Sequence, residues 1–350
     1  GDTDGNTLQC RTYHAGVASA DAVLHCPHAS TNGGGVCGTY CESFCGIVDQ
    51  SCPDLYADAE TCMAECAVMP QDGAWDAVEG DSVQCRTYHA SFPAQADANV
   101  HCPHTAPEGG GVCGDLCEIY CNRVEAQCPD SYADHDACTR ACDAFPADGL
   151  GGATEGNSVQ CRIYHASVPA AADPVLHCPH AGQDGGGVCG TGCEAYCELT
   201  QANCTAENEI YPSMDACMAA CAAMPGDGPM GTTEGNSLQC RIYHANVAGD
   251  DPATHCQHAG VTGAGVCGAA PCEAYCDQVA AHCTGDNEIY PDRVACLAGC
   301  SELDDGGDWN ATGGNSVQCR AYHASFPAAA DPVMHCPHAG LDGGGVCADL

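Results

Sequence analysis

The chain has 350 residues, no lysine, eight arginines, 47 acidic side chains and a formal net charge of −39. So acidic a surface excludes nucleic acid and anionic membranes as partners, because both require a basic footprint, and it draws cations instead. Aromatic residues make up only 5% while 35 residues are cysteine, so cross-links must replace much of the usual apolar core.

The first residues, GDTDGN, form an acidic turn-rich lead-in, with oxygen ligands for calcium but no twelve-residue EF-hand loop. Opening on Gly1 and containing no apolar run of about 18–20 residues, the chain is expected to be soluble, with no membrane insertion, and compatible with a mature product whose leader has been removed. Then comes a histidine segment with cysteines at 10, 26 and 37, and after it a cysteine-rich stretch, Cys41 to Cys66. Aligning on QCR puts Cys10, Cys85, Cys161, Cys240 and Cys319 in register, 75 to 79 residues apart. The histidine segment occurs five times and the intervening stretch four times, joined by Gly/Asp/Glu-rich linkers such as PADGLGGATEGNS. The expected organisation is repeats at 1–75, 76–151, 152–230 and 231–309, then a C-terminal half repeat at 310–350.

Within the intervening stretch, Cys41, Cys45 and Cys52 stand at i, i+4 and i+11, which places three thiols on one helical face. Cys62 and Cys66 repeat the i, i+4 spacing, and PDLYADAE between them carries turn and N-cap residues. Two CxxxC helices joined this way resemble the α-hairpinin pattern over about 30 residues per copy. The resemblance implies Cys41–Cys66 and Cys45–Cys62 bridges, and leaves Cys52 for a partner outside the hairpin. The hairpinins' varied functions do not transfer to this chain.

In the histidine segment, pairing the first two cysteines, Cys161–Cys178, would close a short loop and carry Arg162, Tyr164 and His165 to His177 and His180. Cys189 would then be free to bond Cys204. Three cysteines per histidine segment and five per hairpin are both odd, so the two must share a bridge. Five segments and four hairpins leave one cysteine over, which this scheme places at Cys347. Such a residue suits an intermolecular disulfide.

Fifteen of the 17 histidines occupy three recurring positions: His14, His25 and His28; His89, His101 and His104; His165, His177 and His180; His244, His255 and His258; His323, His335 and His338. Asp21, Asp97, Asp173, Asp251 and Asp331 each precede the middle histidine by four residues. Three imidazoles with a nearby carboxylate suit copper, zinc or iron, and a three-histidine set leaves a coordination position open. The bland reading is that each aspartate caps a helix, with proline often next, and that the histidines bond loop carbonyls. Haem is a further candidate, with two histidines as axial ligands and Arg11, Arg86, Arg162, Arg241 or Arg320 on a propionate, although no CxxCH occurs. Those arginines would equally serve to neutralise a nearby carboxylate.

A second acidic run, LDDGGD at 303–308, is another oxygen-rich candidate for calcium, and the sequons at Asn203 and Asn310 matter only in a eukaryotic secretory pathway. No phosphate loop, nucleophile elbow or Ser/His/Asp order stands out, and five equal sites strung on linkers offer no shared cleft, so an enzyme is not expected.

The fold expected is small, disulfide-rich and mainly α: a rod-like tandem array of histidine-bearing loops with short helices, alternating with two-helix hairpins. The functional expectation is a secreted subunit of an extracellular filament or surface layer, self-assembling, with a metal or redox cofactor at each three-histidine site for electron transfer or metal capture. A purely structural or adhesive fibre without cofactor is the alternative.

Overall fold

The structure, a computed structural model, describes residues 2–226, 228–229, 231–268 and 270–348. Among the described residues the regular structure is α-helix and short 3-10 turn, with no strand. The expected repeat boundary at 230–231 adjoins Met230, which lies outside the described residues.

Two compact units divide the chain. One comprises Gly1–Asp130 with Pro146–Ala181, the other Ser131–Phe145 with Gly182–Leu350. In the first unit, Phe44, Val48, Met69, Val83, Ala90 and Ala94 pack around the Cys45 and Cys62 sulfurs. In the second, Tyr275, Val279, Val317, Ala321 and Ala324 pack around Cys276, Cys283 and Cys336. Both cores are thin in large aliphatic side chains, and half-cystines fill the space that leucine or phenylalanine fills in an ordinary domain.

Each histidine segment opens on a helix whose N-cap hydroxyl accepts the backbone N–H three residues on. Thr7 does this for Leu8–Val17, and Ser82, Ser158, Ser237 and Ser316 repeat it for Val83–Ala90, Val159–His165, Leu238–Val247 and Val317–Ala324. An eight-residue helix follows, Ala22–Ala29 in the first copy and Pro174–Ala181 in the third. The histidines therefore sit on the short helices of each segment. The reason is local: each segment carries its own N-caps, so two short helices start without help from long apolar runs.

A GGG 3-10 turn closes the segment, and its middle glycine takes a left-handed conformation, φ 51° at Gly344. A Cβ there would come within 2.9 Å of the His338 ring and of Pro337 backbone, so the turn lies flat against the histidine helix. In the fourth copy Ala264 takes the same left-handed place at φ 44°.

The first three hairpins begin with capping boxes, Thr39 with Glu42, Asp115 with Glu118 and Thr191 with Glu194, and the fourth starts on Pro271 without a side-chain cap. The pairings the hairpin resemblance implied are present: Cys41–Cys66 and Cys45–Cys62, with Cys193–Cys221, Cys197–Cys217, Cys272–Cys300 and Cys276–Cys296 in later copies. Cys52, the helix C-cap, bonds outside its hairpin to Cys102.

The pairing expected inside the histidine segment is corrected. The first cysteine bonds the third, not the second, in Cys10–Cys37, Cys85–Cys113, Cys240–Cys267 and Cys319–Cys347. Cys178 bonds Cys128 rather than Cys161, and Cys204 bonds Cys256 rather than Cys189. Cys161 and Cys189 are themselves disulfide-bonded. The middle cysteine lies on the outer side of its helix, against the end of the preceding hairpin helix, which the linear spacing could not reveal. The parity argument holds, since one cysteine is left over, but it is Cys26 and not Cys347. Bonds in this number form and persist in an oxidising compartment. No helix among the described residues is long and apolar enough to cross a membrane.

Candidate metal centres

The first histidine of each triad lies in the last turn of the opening helix and is buried. His14, His89, His165, His244 and His323 are each 5–6% exposed. Its Nε2 faces a backbone carbonyl eleven residues earlier in sequence: Thr3 at 3.1 Å, Val78 at 2.9 Å, Thr154 at 3.1 Å, Thr233 at 3.1 Å and Thr312 at 3.1 Å. A carbonyl only accepts, so Nε2 carries the proton and donates it, and the neutral ring turns an Nδ1 lone pair inward. The linker threonines that supply most of these carbonyls were not singled out in the sequence. Their constant spacing from the histidine was the available signal.

The second and third histidines stand three residues apart on the next helix, and their Nδ1 atoms meet that lone pair. His14 Nδ1 lies 2.9 Å from His25 Nδ1 and 3.4 Å from His28 Nδ1. His89 Nδ1 lies 3.1 Å from His101 Nδ1 and 3.3 Å from His104 Nδ1. The first-to-second distance is 2.9 Å for His165–His177, 2.9 Å for His244–His255 and 3.0 Å for His323–His335. His180, His258 and His338 complete the remaining triads, each with a buried Nδ1 that has no hydrogen-bond partner. The first and third rings meet edge to face, with centroids 4.7 to 4.9 Å apart. All fifteen histidines that the sequence singled out are thus brought together in threes.

Three nitrogens bound tetrahedrally at about 2.0–2.1 Å from one ion sit about 3.3 Å apart. The observed separations bracket that value, and the atoms of the His14 and His89 triads cluster as a metal's ligands would. Carbonyl acceptance at Nε2 is also the usual outer-shell support that orients a metal-binding imidazole. The ring chemistry agrees. Burial, with repulsion from neighbouring rings, holds His28, His104, His180 and His258 below the ordinary histidine pKa. Burial likewise depresses His165 and His323, and takes His244 down to about 4. Rings of this kind are neutral at pH 7, the form that ligates.

The cysteines near the first histidine, such as Cys10 and Cys37, are close enough to suggest a mixed ligand set, but they are joined in a disulfide and offer no thiolate. Each aspartate is a helix cap: Asp21 accepts from Leu24 N–H, Asp97 from Val100, Asp173 from Leu176, Asp251 from Thr254 and Asp331 from Met334. Of the two roles weighed for it, the capping one is the one present. In the LDDGGD run, Asp304 accepts Gly306 N–H.

The five arginines expected at a cofactor are placed elsewhere. Arg86, Arg162, Arg241 and Arg320 are buried, and their donors meet backbone. Arg241 gives Nε to Gly260 O, and its two terminal nitrogens to Ser237 O and Val261 O. Arg320 spans Gly340 O, Leu341 O and Ser316 O in the same way, and Arg11 reaches Ser30 O and Thr31 O. Arg86 adds a 2.7 Å ion pair with Asp81 to its bonds with Ala106 O and Pro107 O, and Arg162 bonds Asn157 and Ser158 O. Arg11, Arg86, Arg241 and Arg320 tie the residues that follow the histidine helix to the opening helix, while Arg162 bonds at the start of its own opening helix. The propionate role expected for Arg11, Arg86, Arg162, Arg241 and Arg320 competes with these bonds to the protein itself.

The spacing of the first two rings favours a bare ion over haem. Two axial imidazoles on opposite faces of one iron stand about 4 Å apart, twice a metal–nitrogen bond of about 2.0 Å, with a macrocycle between them. The first and second Nδ1 atoms, 2.9 to 3.1 Å apart, leave no such gap.

No solved structure matches the chain. It is similar to the aurasperone B biosynthesis cluster protein A of Aspergillus niger, with 37% identity over 68 residues, 19% of this chain and 22% of that protein. It is also similar to the bifonsecin B biosynthesis cluster protein A of Aspergillus brasiliensis, with 35% identity over 68 residues, 19% of this chain and 23% of that protein. The chain therefore spans less than a quarter of the length of the curated relatives it matches. The BfoA family C-terminal domain matches four times, at 38–116, 114–192, 191–270 and 269–350, each match running from a hairpin through the following histidine segment. The chain is thus a tandem-repeat member of the BfoA family.

Proposed function

We propose that this protein is a non-catalytic metal-capture array in which each of the five triads holds one transition-metal ion of the zinc, copper or iron class through three histidine Nδ1 atoms. The carrying observation is the convergence of Nδ1 atoms at 2.9 to 3.4 Å, around a first ring whose Nε2 proton is committed to a carbonyl. When bound, the ion would present an open coordination position and Lewis acidity. The chain's own residues supply neutral ligands, hold their tautomer and keep the first ring dry. The acidic surface supports the reading by concentrating cations near the sites. The disulfide framework and the acidity favour an extracellular setting, where the array would serve within a filament or surface layer.

The test is elemental analysis of full-length protein equilibrated with zinc or copper and then freed of excess metal. Loading near five ions per chain is expected, falling by about one in His255→Ala, with a shift of the bound imidazole Nδ1 resonances. A chain that retains no metal would leave the purely structural or adhesive reading in its place, and a His255→Ala variant that loads like the parent would overturn the triads as the metal sites.

A further inference from the structure

The first histidine segment differs from its four siblings in one respect. In the others the opening helix is covered by the hairpin that precedes it. Val83, Val159 and Val317 are 0% exposed and Leu238 is 6% exposed, whereas Leu8, at the same place, is 75% exposed. One turn on, Thr87, Ile163, Ile242 and Ala321 are buried, and so are Ala90, Ala166, Ala245 and Ala324; their counterparts Thr12 and Ala15 are exposed.

The cysteine of the following helix shows the same asymmetry. Cys102, Cys178, Cys256 and Cys336 bond Cys52, Cys128, Cys204 and Cys283, the third cysteine of the preceding hairpin's first helix. Cys26 stands at that place as a free thiol. A third contact repeats as well: the hairpin tyrosines Tyr120, Tyr196 and Tyr275 donate to the carbonyls of Ala181, Ala259 and Ala339, the last helical residue of the segment they cover. Ala29 is the corresponding residue of the first segment.

We infer that the face formed by Leu8, Thr12, Ala15 and Cys26 is a docking site for one further two-helix hairpin of this repeat type, lying outside these 350 residues, whose third cysteine forms a disulfide with Cys26. Four interfaces within the chain show what fits this surface: a CxxxC helix with an apolar residue and a tyrosine or phenylalanine facing the segment, ending on a cysteine seven residues after the second of the pair. A second copy of the chain cannot supply it, because all four of its own hairpins already spend that cysteine on the next segment. Bond formation joins two thiols with loss of two electrons and two protons, taken by the disulfide-forming oxidant or by a disulfide exchange partner of the oxidising compartment that made the other bridges.

The experiment is peptide mapping, without reduction, of the protein isolated from its native source. It should link the peptide containing Cys26 to a peptide in which CxxxC is followed seven residues later by the bonded cysteine and which is none of the four hairpins here. A free Cys26, a Cys26–Cys26 link or a small-thiol cap would overturn the inference. A second measurement uses the 350-residue chain alone. Cys26 should alkylate without denaturant, and amides of Leu8–Val17 should exchange at least about ten-fold faster than those of Leu238–Val247, which keep their hairpin. Equal protection of the two helices would show that the face needs no cover.

Discussion

Replacing Arg241 with methionine separates a strut from a ligand. The side chain is 0% exposed, and its bonds to Gly260, Ser237 and Val261 carbonyls measure 3.2, 3.1 and 2.9 Å. Hydrogen bonds from a charged donor contribute about 1.5–3 kcal/mol each, so the gross loss is about 5 kcal/mol or more. Against this, the variant no longer buries a guanidinium, whose desolvation already lowers the Arg241 pKa. Methionine also retains much of the apolar stem. A net local loss of about 3 kcal/mol remains, which corresponds to about a hundred-fold in an opening equilibrium. In an array stapled by disulfides a single global transition is not the right measure. Hydrogen exchange at Gly263, Val266 and Cys267 is, because their amides bond Gly260 and Gly263 carbonyls directly beside the lost contacts. Unchanged exchange at these amides, together with loss of metal from the His244 triad alone, would refute the strut assignment and return Arg241 to the site.

Three further outcomes are expected. His244 titrates at about 4 in the folded chain against an ordinary 6.5, so below pH 6.5 the unfolded state binds the proton that the folded state refuses. The metal-free protein should therefore lose about 3 kcal/mol around this ring as pH falls from 6.5 to 4 and little more below, read as the pH dependence of local exchange protection. Removing the Cys128–Cys178 bridge by a double serine substitution opens a closure of 50 residues, and a loss of up to about 4 kcal/mol in denaturant resistance of that region is expected. Tyr275→Phe strips the donor from Ala339 O and the 3.1 Å contact with Tyr290, and should cost about 1–2 kcal/mol by local exchange around residue 339. Phe44 at the same place in the first hairpin shows that the ring alone still packs.

The sequence by itself determined everything that depends on local spacing or on counting. N-cap hydroxyls and carboxylates at Ser237 and Asp251 start the helices they were positioned to start, because a cap acts within three residues of itself. The i, i+4 cysteines dictated the hairpin staples, and odd numbers of cysteine per segment required one unpaired thiol whatever the connectivity. The fifteen histidines were legible as a set through repetition alone. Tertiary structure decided what joins residues far apart in sequence. Which cysteine of a histidine segment faces inward toward its own third cysteine, and which faces outward to Cys128 or Cys204, depends on the rotation of a short helix whose apolar residues do not mark its buried side, since Val175 and Leu176 beside Cys178 are exposed. Without an apolar stripe to fix that rotation, sequence periodicity carries no information about it. The same holds for the arginines: a guanidinium five bonds from the backbone can reach a ligand or a carbonyl, and only the packed position of Gly260 and Val261 settles that Arg241 holds backbone and leaves the triad to histidine.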